Sequence, residues 1–175
     1  MEEGFELLQK LSTSSLAICY RARKDGVNYH LLALQPPLED KNKKIFLQIA
    51  DKLKGLSHPN LASLIDYRIE GEKVFLVYEE LKGMPLKERF KLLAPFPPSL
   101  AVEMAIGIGE ALSALHKAGI VHGDLYPGNV LVTPEANIKV LNAGVFVPFY
   151  DFIKKGDFSL LMERASYTAP EIAAG

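Results

Sequence analysis

The chain has 175 residues, 49% of them hydrophobic and 23% charged, with 20 lysines and arginines against 21 aspartates and glutamates. That length holds one domain with a sizeable core, and the near-balance of charge excludes an electrostatic case for nucleic acid or an acidic membrane surface. Its one cysteine, Cys19, excludes an internal disulfide, and the acidic start Met1-Glu2-Glu3-Gly4 lacks a signal-peptide layout. No run is read as reaching the roughly 18 apolar residues of a membrane span, so the expectation is a cytoplasmic segment without membrane contact.

The first third reads as strands. Phe5–Leu11, Leu16–Arg23 and Tyr29–Gln35 are apolar-rich, with Asp25-Gly26 and Asn28 marking a hairpin between the second and third. Pro36-Pro37 ends that pattern. Apolar residues at Ile45, Ile49, Leu53 and Leu56, with Phe46 and Ala50 alongside, then recur at helical spacing until Pro59. Leu61–Ile69 and Lys73–Leu81 follow as two strands around Glu70-Gly71-Glu72. The remainder is mainly helical: Pro85–Leu93 is a short helix, and Pro95-Phe96-Pro97-Pro98 is a rigid connector. Ser99 is the expected N-cap of a long apolar helix, Leu100–Lys117, with Gly119 as its C-cap. Strands at Val130–Val132 and Ile138–Leu141 enclose a turn, and the stretch from Gly144 to Tyr167 is poorly patterned.

One stretch carries chemistry: His122-Gly123-Asp124-Leu125-Tyr126-Pro127-Gly128-Asn129. Asp124 has the type of group that accepts a proton from a hydroxyl, and with Asn129 five residues on it offers oxygen ligands to a hard cation such as Mg²⁺. The plain alternative is a Pro-Gly turn in which both side chains satisfy local backbone.

This stretch resembles the catalytic loop of protein kinases and of small-molecule phosphotransferases. His58-Pro59-Asn60, Leu76-Val77-Tyr78-Glu79-Glu80-Leu81 and Tyr167-Thr168-Ala169-Pro170-Glu171 match the protein kinases in the family's order, and the phosphotransferases do not predict the first and last of these. The whole chain from Phe5 onwards thus resembles the eukaryotic-like (Ser/Thr-type) protein kinase family. The resemblance implies an α+β fold: residues 1–81 form a five-stranded antiparallel small lobe with one helix, and residues 82–175 a partial, mainly helical large lobe. Since such a domain continues beyond Ala-Pro-Glu, the chain is expected to be a fragment of a longer protein.

The same resemblance assigns Asp124 and Asn129 to catalysis, Asn129 and Asn142 to metal, and Cys19, Ala33, Gln35, Tyr78, Glu79, Leu81 and Leu131 to a nucleotide slot. Several family positions have changed. Ser12, Ser14 and Ala17 replace the phosphate-loop glycines, Gln35 replaces the third-strand lysine, and Ile49 falls where its glutamate partner would be. Asn142-Ala143-Gly144 replaces Asp-Phe-Gly, Gly123 the loop arginine, Tyr126 a lysine, and Arg164 the threonine that contacts the aspartate. ATP is the expected nucleotide if any binds, and Mg²⁺ is expected to be held poorly by carboxamides that do not neutralise it. The expected function is a pseudokinase-like binding or regulatory module that works through a protein partner or further domains of the same chain. The alternative is an atypical active Ser/Thr protein kinase with Lys10 or Lys24 recruited to the phosphates.

Overall fold

The computed structural model describes residues 4–93, 95–150, 153 and 164–169. Strands β1 (Glu6–Thr13), β2 (Ala17–Lys24), β3 (Val27–Leu34), β4 (Leu64–Glu70) and β5 (Lys73–Glu79) form an antiparallel sheet in the order β1-β2-β3-β5-β4. Asp25 and Gly26 join β2 to β3 with φ of 50° and 78°, the left-handed pair that a tight two-residue hairpin demands. Helix α1 (Asp40–Lys54) begins five residues before the predicted Ile45 and packs on the sheet. Its buried face is Phe46, Ala50 and Leu53 with Ile49 packed against the core, all within the expected apolar face, whereas Ile45 at its edge is 46% exposed.

The second lobe holds α2 (Leu86–Leu93), α3 (Pro98–Lys117) and a small sheet of β6 (Met84–Pro85), β7 (Val130–Val132) and β8 (Ile138–Val140). Strand β6 is too short to show a period in the sequence. Helix α3 starts at Pro98 with Pro97 as its N-cap residue, displacing the predicted Ser99 cap; proline in a first turn sacrifices no hydrogen bond. At the far end Ala118 is the cap, and Gly119 follows at φ 68°. Met104, Gly107, Ala111 and Leu115 are its buried face. Gly107 permits close approach to β8: a Cβ there would lie 2.8 Å from Ile138 Cγ1. By length and composition α3 is also long and apolar enough to cross a membrane, which corrects the expectation that no segment reaches that limit.

The His-Pro-Asn segment ties the two sheets together. Asn60 Nδ2 donates to the Ile138 carbonyl at 3.1 Å, and the amides of Val140 and Ala62 donate to the carbonyls of Asn60 and Val140. From Val145 to Tyr150 the chain is more ordered than its pattern suggested. A 3-10 turn at Val147–Phe149 places Phe149 edge-on to Phe46 of α1, with ring centroids 6.4 Å apart. Phe146 and Phe149 join Leu53, Leu64 and Ala143 in one buried cluster, so rings from further along the chain fill the core where Ala143 has none. Ala169 is described; the predicted Pro170 and Glu171 lie outside the described residues.

Candidate functional site

A cleft of about 500 Å³ opens between the first sheet and the loop that follows α3. Ala17, Cys19 and Leu32 line its upper wall, Leu131 and Leu141 its floor, and Tyr78 and Leu81 the connection between the lobes. Burial pushes the Cys19 thiol up to about 11, so it sits there as a small apolar group. Burial also raises the Tyr78 phenol, whose hydroxyl has no partner among the described residues.

Two predicted slot residues belong to the other face of the sheet. Strand β3 runs in regular register against β2, with Cys19 opposite Leu32 and Ala17 opposite Leu34. Side chains alternate along a strand, so His30, Leu32 and Leu34 share one face and Ala33 points away from it. Gln35 lies just past the strand, is exposed, and donates its backbone amide to the Leu16 carbonyl. The assignments of Ala33 and Gln35 to the slot are therefore out by one residue. Leu32 rather than Ala33 lines the cleft, and the position two residues on, on the same face, is Leu34, which is 6% exposed. Whether the lysine's place falls at Gln35 or at Leu34, it is uncharged. Neither Lys10 nor Lys24 lines the cleft; Lys24 sits over the Phe5 ring instead.

The serine-rich turn is occupied with itself. Ser14 Oγ accepts from the amides of Leu16 and Ala17 and donates to the Ala17 carbonyl, closing the β1–β2 hairpin. Glu79 does not present its carboxylate to the cleft. Its Oε1 takes the Ser63 amide at 3.0 Å and Lys139 Nζ at 2.6 Å, which clamps β5 to the second sheet and leaves only its main chain for the slot. At Leu81 the backbone amide donates to His30 Nδ1 at 3.1 Å, a pairing across 51 residues that no motif announces.

The catalytic-loop residues converge as predicted, but with an added partner. His122 is 3% exposed; its Nε2 faces the Leu141 carbonyl at 3.0 Å and its Nδ1 accepts the Asp124 amide. Burial holds this imidazole below its usual range, and the neutral ring fixes the loop's shape. Asn129 Nδ2 donates to the Asp124 carbonyl and to its Oδ2, both at 2.8 Å, and Asn142 Nδ2 donates to Asn129 Oδ1 at 2.9 Å. Asn142 holds φ of 57°, which asparagine tolerates.

Arg164 closes the remaining side of Asp124. Its Nε lies 2.5 Å from Oδ1 and its Nη2 3.1 Å from Oδ2, a two-pronged pair with side chains 14% and 9% exposed. The guanidinium also stacks 4.2 Å from the centre of the Tyr126 ring. Arg164 lines the cleft and Asp124 stands behind it. Gly123, at φ 79°, leaves room for Val147, whose Cγ2 would be 2.6 Å from a Cβ there, and its carbonyl accepts the Tyr150 hydroxyl. A side chain at the loop-arginine position would collide with this packing.

These residues do not fit Mg²⁺. The one carboxylate among the predicted ligands is neutralised by Arg164, and Asn129 and Asn142 bond to each other and to Asp124. No group of three or more His, Cys, Asp or Glu side chains arranged for a metal occurs among the described residues.

A small lobe of five antiparallel strands and a helix, joined to a lobe that carries His-x-Asp and Asn on a loop facing the cleft, defines the phosphotransferase class of two-lobed folds. Within that class the protein kinase domain matches residues 6–175, and the chain belongs to the eukaryotic-like Ser/Thr protein kinase family. It is 30% identical over 175 residues to a probable serine/threonine-protein kinase of Clostridium perfringens, covering 98% of this chain and 25% of that protein. It is 35% identical over 125 residues to serine/threonine-protein kinase PknA of Mycobacterium tuberculosis, covering 69% of this chain and 29% of the other. PrkC of Bacillus subtilis is 34% identical over 130 residues, covering 74% of this chain and 20% of the other. The chain thus spans less than a third of the length of these relatives.

Proposed function

We propose that this domain is a pseudokinase: a kinase fold that binds and regulates, acting in the cytoplasm on a protein partner or on further domains of its own chain, with no efficient phosphoryl transfer. The observation that carries this reading is the two-pronged pairing of Arg164 with Asp124. A general base must reach the proton it removes, and here both carboxylate oxygens are spent on a buried guanidinium. Leu34 in the lysine's place and the carboxamide pair Asn129–Asn142 add to it, since each lost electrostatic partner costs on the order of 10²–10³ in rate. Transfer of labelled γ-phosphate from Mg²⁺-ATP, to the chain itself and to a general protein substrate, is expected to stay at background. Transfer that Asp124→Asn abolishes would overturn the proposal. The second reading, an atypical active Ser/Thr kinase, draws on the intact Asp124–Asn129 contact at 2.8 Å and predicts that such transfer is found.

A further inference from the structure

Leu81 carries the main-chain donor of the interlobe connection, and in the nucleotide slot of this fold the base is met by that main chain. Here the donor is already taken. His30 Nδ1 accepts it at 3.1 Å, so the ring is the tautomer with its proton on Nε2. Position is dictated by the strand period: His30 lies on the same face of β3 as Leu32, opposite Arg21 of β2 and Tyr78 of β5, and lines the cleft with Leu32 and Tyr78. The connection is strapped against it. Glu80 Oε1 accepts from Arg21 Nη2 at 2.5 Å and from Asn28 Nδ2 at 3.1 Å, so the residue before Leu81 is anchored to β2 and to the start of β3.

We propose that His30 is a built-in occupant of the base slot, taking the Leu81 amide and so holding purine bases out of the cleft. The proposal rests on the cleft being the nucleotide slot, as the pseudokinase reading also does, and concerns entry of the base rather than chemistry on a phosphate. A purine that uses this donor must first displace the imidazole, and apparent affinity falls by the fraction of molecules in which the ring has left. The neutral ring is the form that accepts. Burial holds His30 below the usual histidine range, with Glu80 pulling it up and Arg21 pushing it down. The other titratable groups on its side of the cleft are Tyr78 and Cys19, both held uncharged by burial, and Lys87 and Arg164 line the far side. Protonation converts Nδ1 from acceptor to donor, and the imidazolium and the Leu81 amide then repel.

Adenosine is the probe, because it carries no phosphate and needs no metal. In a titration followed by nuclear magnetic resonance, His30→Ala is expected to bind adenosine about tenfold more tightly than the unaltered chain at neutral pH. Affinity of the unaltered chain should rise as pH falls from about 6.5, where a depressed imidazole begins to protonate, towards about pH 4.5, and that of the variant should not. Exchange of the Leu81 amide proton should be slow in the unaltered chain and quicker in the variant. Unchanged exchange would show that the bond is not held in solution and overturn the proposal. A freed amide with no gain in adenosine binding would overturn it too, by placing the barrier elsewhere. Should the variant not fold, the pH titration of the unaltered chain decides alone: an affinity that stays flat or falls on acidification refutes the idea. None of these outcomes bears on phosphate transfer, so the pseudokinase reading stands or falls separately.

Discussion

The pairing of Arg164 with Asp124 has a measurable energetic signature. Their side chains are 14% and 9% exposed, so removing either partner strands a charge out of water. Breaking a buried pair from one side costs about 3–5 kcal/mol. For Arg164→Met the loss should fall at or just below the lower limit, about 2–3 kcal/mol, because Asp124 keeps its bond from Asn129 Nδ2 and methionine keeps part of the packing on Tyr126. Asp124→Asn should cost a similar amount by leaving the guanidinium uncompensated. The double variant carries neither charge and should lose less than the sum, giving a coupling of about 2 kcal/mol or more, against the roughly 0.3–0.5 kcal/mol scatter of independent sites. Urea unfolding of the four proteins supplies the cycle, and in a chain of this size about 2 kcal/mol also moves the melting temperature by roughly 4–8 °C. A coupling within that scatter would mean that the base is not capped in solution, and the case for a pseudokinase would lose its main support. If instead Arg164 is a removable plug on a working kinase, Arg164→Met gains phosphate transfer while losing stability.

The register of β3 is open to direct test by moving a lysine. Gln35→Lys should leave nucleotide affinity unchanged and alter stability by less than about 0.5 kcal/mol, because residue 35 is exposed on the far side of the strand. Leu34→Lys places an ammonium at a position 6% exposed and should cost several kcal/mol in urea unfolding; the opposite ranking would restore the counted register. Acid sensitivity follows from two buried histidines. His30 and His122 are both held below the usual histidine range by burial. As pH falls through about 6.5 the unfolded chain takes up protons first, so the stability present above that pH is lost towards the lower folded values. Urea midpoints that stay constant between about pH 7.5 and about pH 5 would contradict this.

Much of the fold was legible because its elements repeat a strong local signal. Two-residue turns such as Asp25-Gly26 and apolar strands on either side of them specify hairpins with little help from elsewhere. Boundaries were less so. The start of α3 was placed at a serine because serine caps helices well in isolation, yet Pro98 occupies the first turn at no cost and carries the helix back past Ser99. The packing of Val145, Phe146 and Phe149 was invisible, since three rings and branched chains in five residues have neither a helical nor a strand period. They are placed by the space beside Ala143 and under Phe46, and that space exists only once α1 has docked.

The site shows where motif matching stops being informative. Counting along Leu32-Ala33-Leu34-Gln35 aligns a four-letter pattern, and Ala33 is the residue that matches by name. A strand, however, presents every second side chain to a surface, and Cys19 opposite Leu32 determines which set that is. A one-residue slip therefore exchanges the whole set, and it brings into the cleft a histidine that matches no motif. His30 and Arg164 share this property. Each is remote in sequence from the group it satisfies, by 51 and 40 residues respectively, and each satisfies a polar group of the cleft from within the chain. Loss of a motif residue leaves a cleft weakly able to bind, and such a cleft recovers by a single reversion. A cleft whose donor at Leu81 and whose carboxylate at Asp124 are both satisfied from within has gained competing interactions as well. Restoring a lysine at residue 34 alone should accordingly not restore ATP binding.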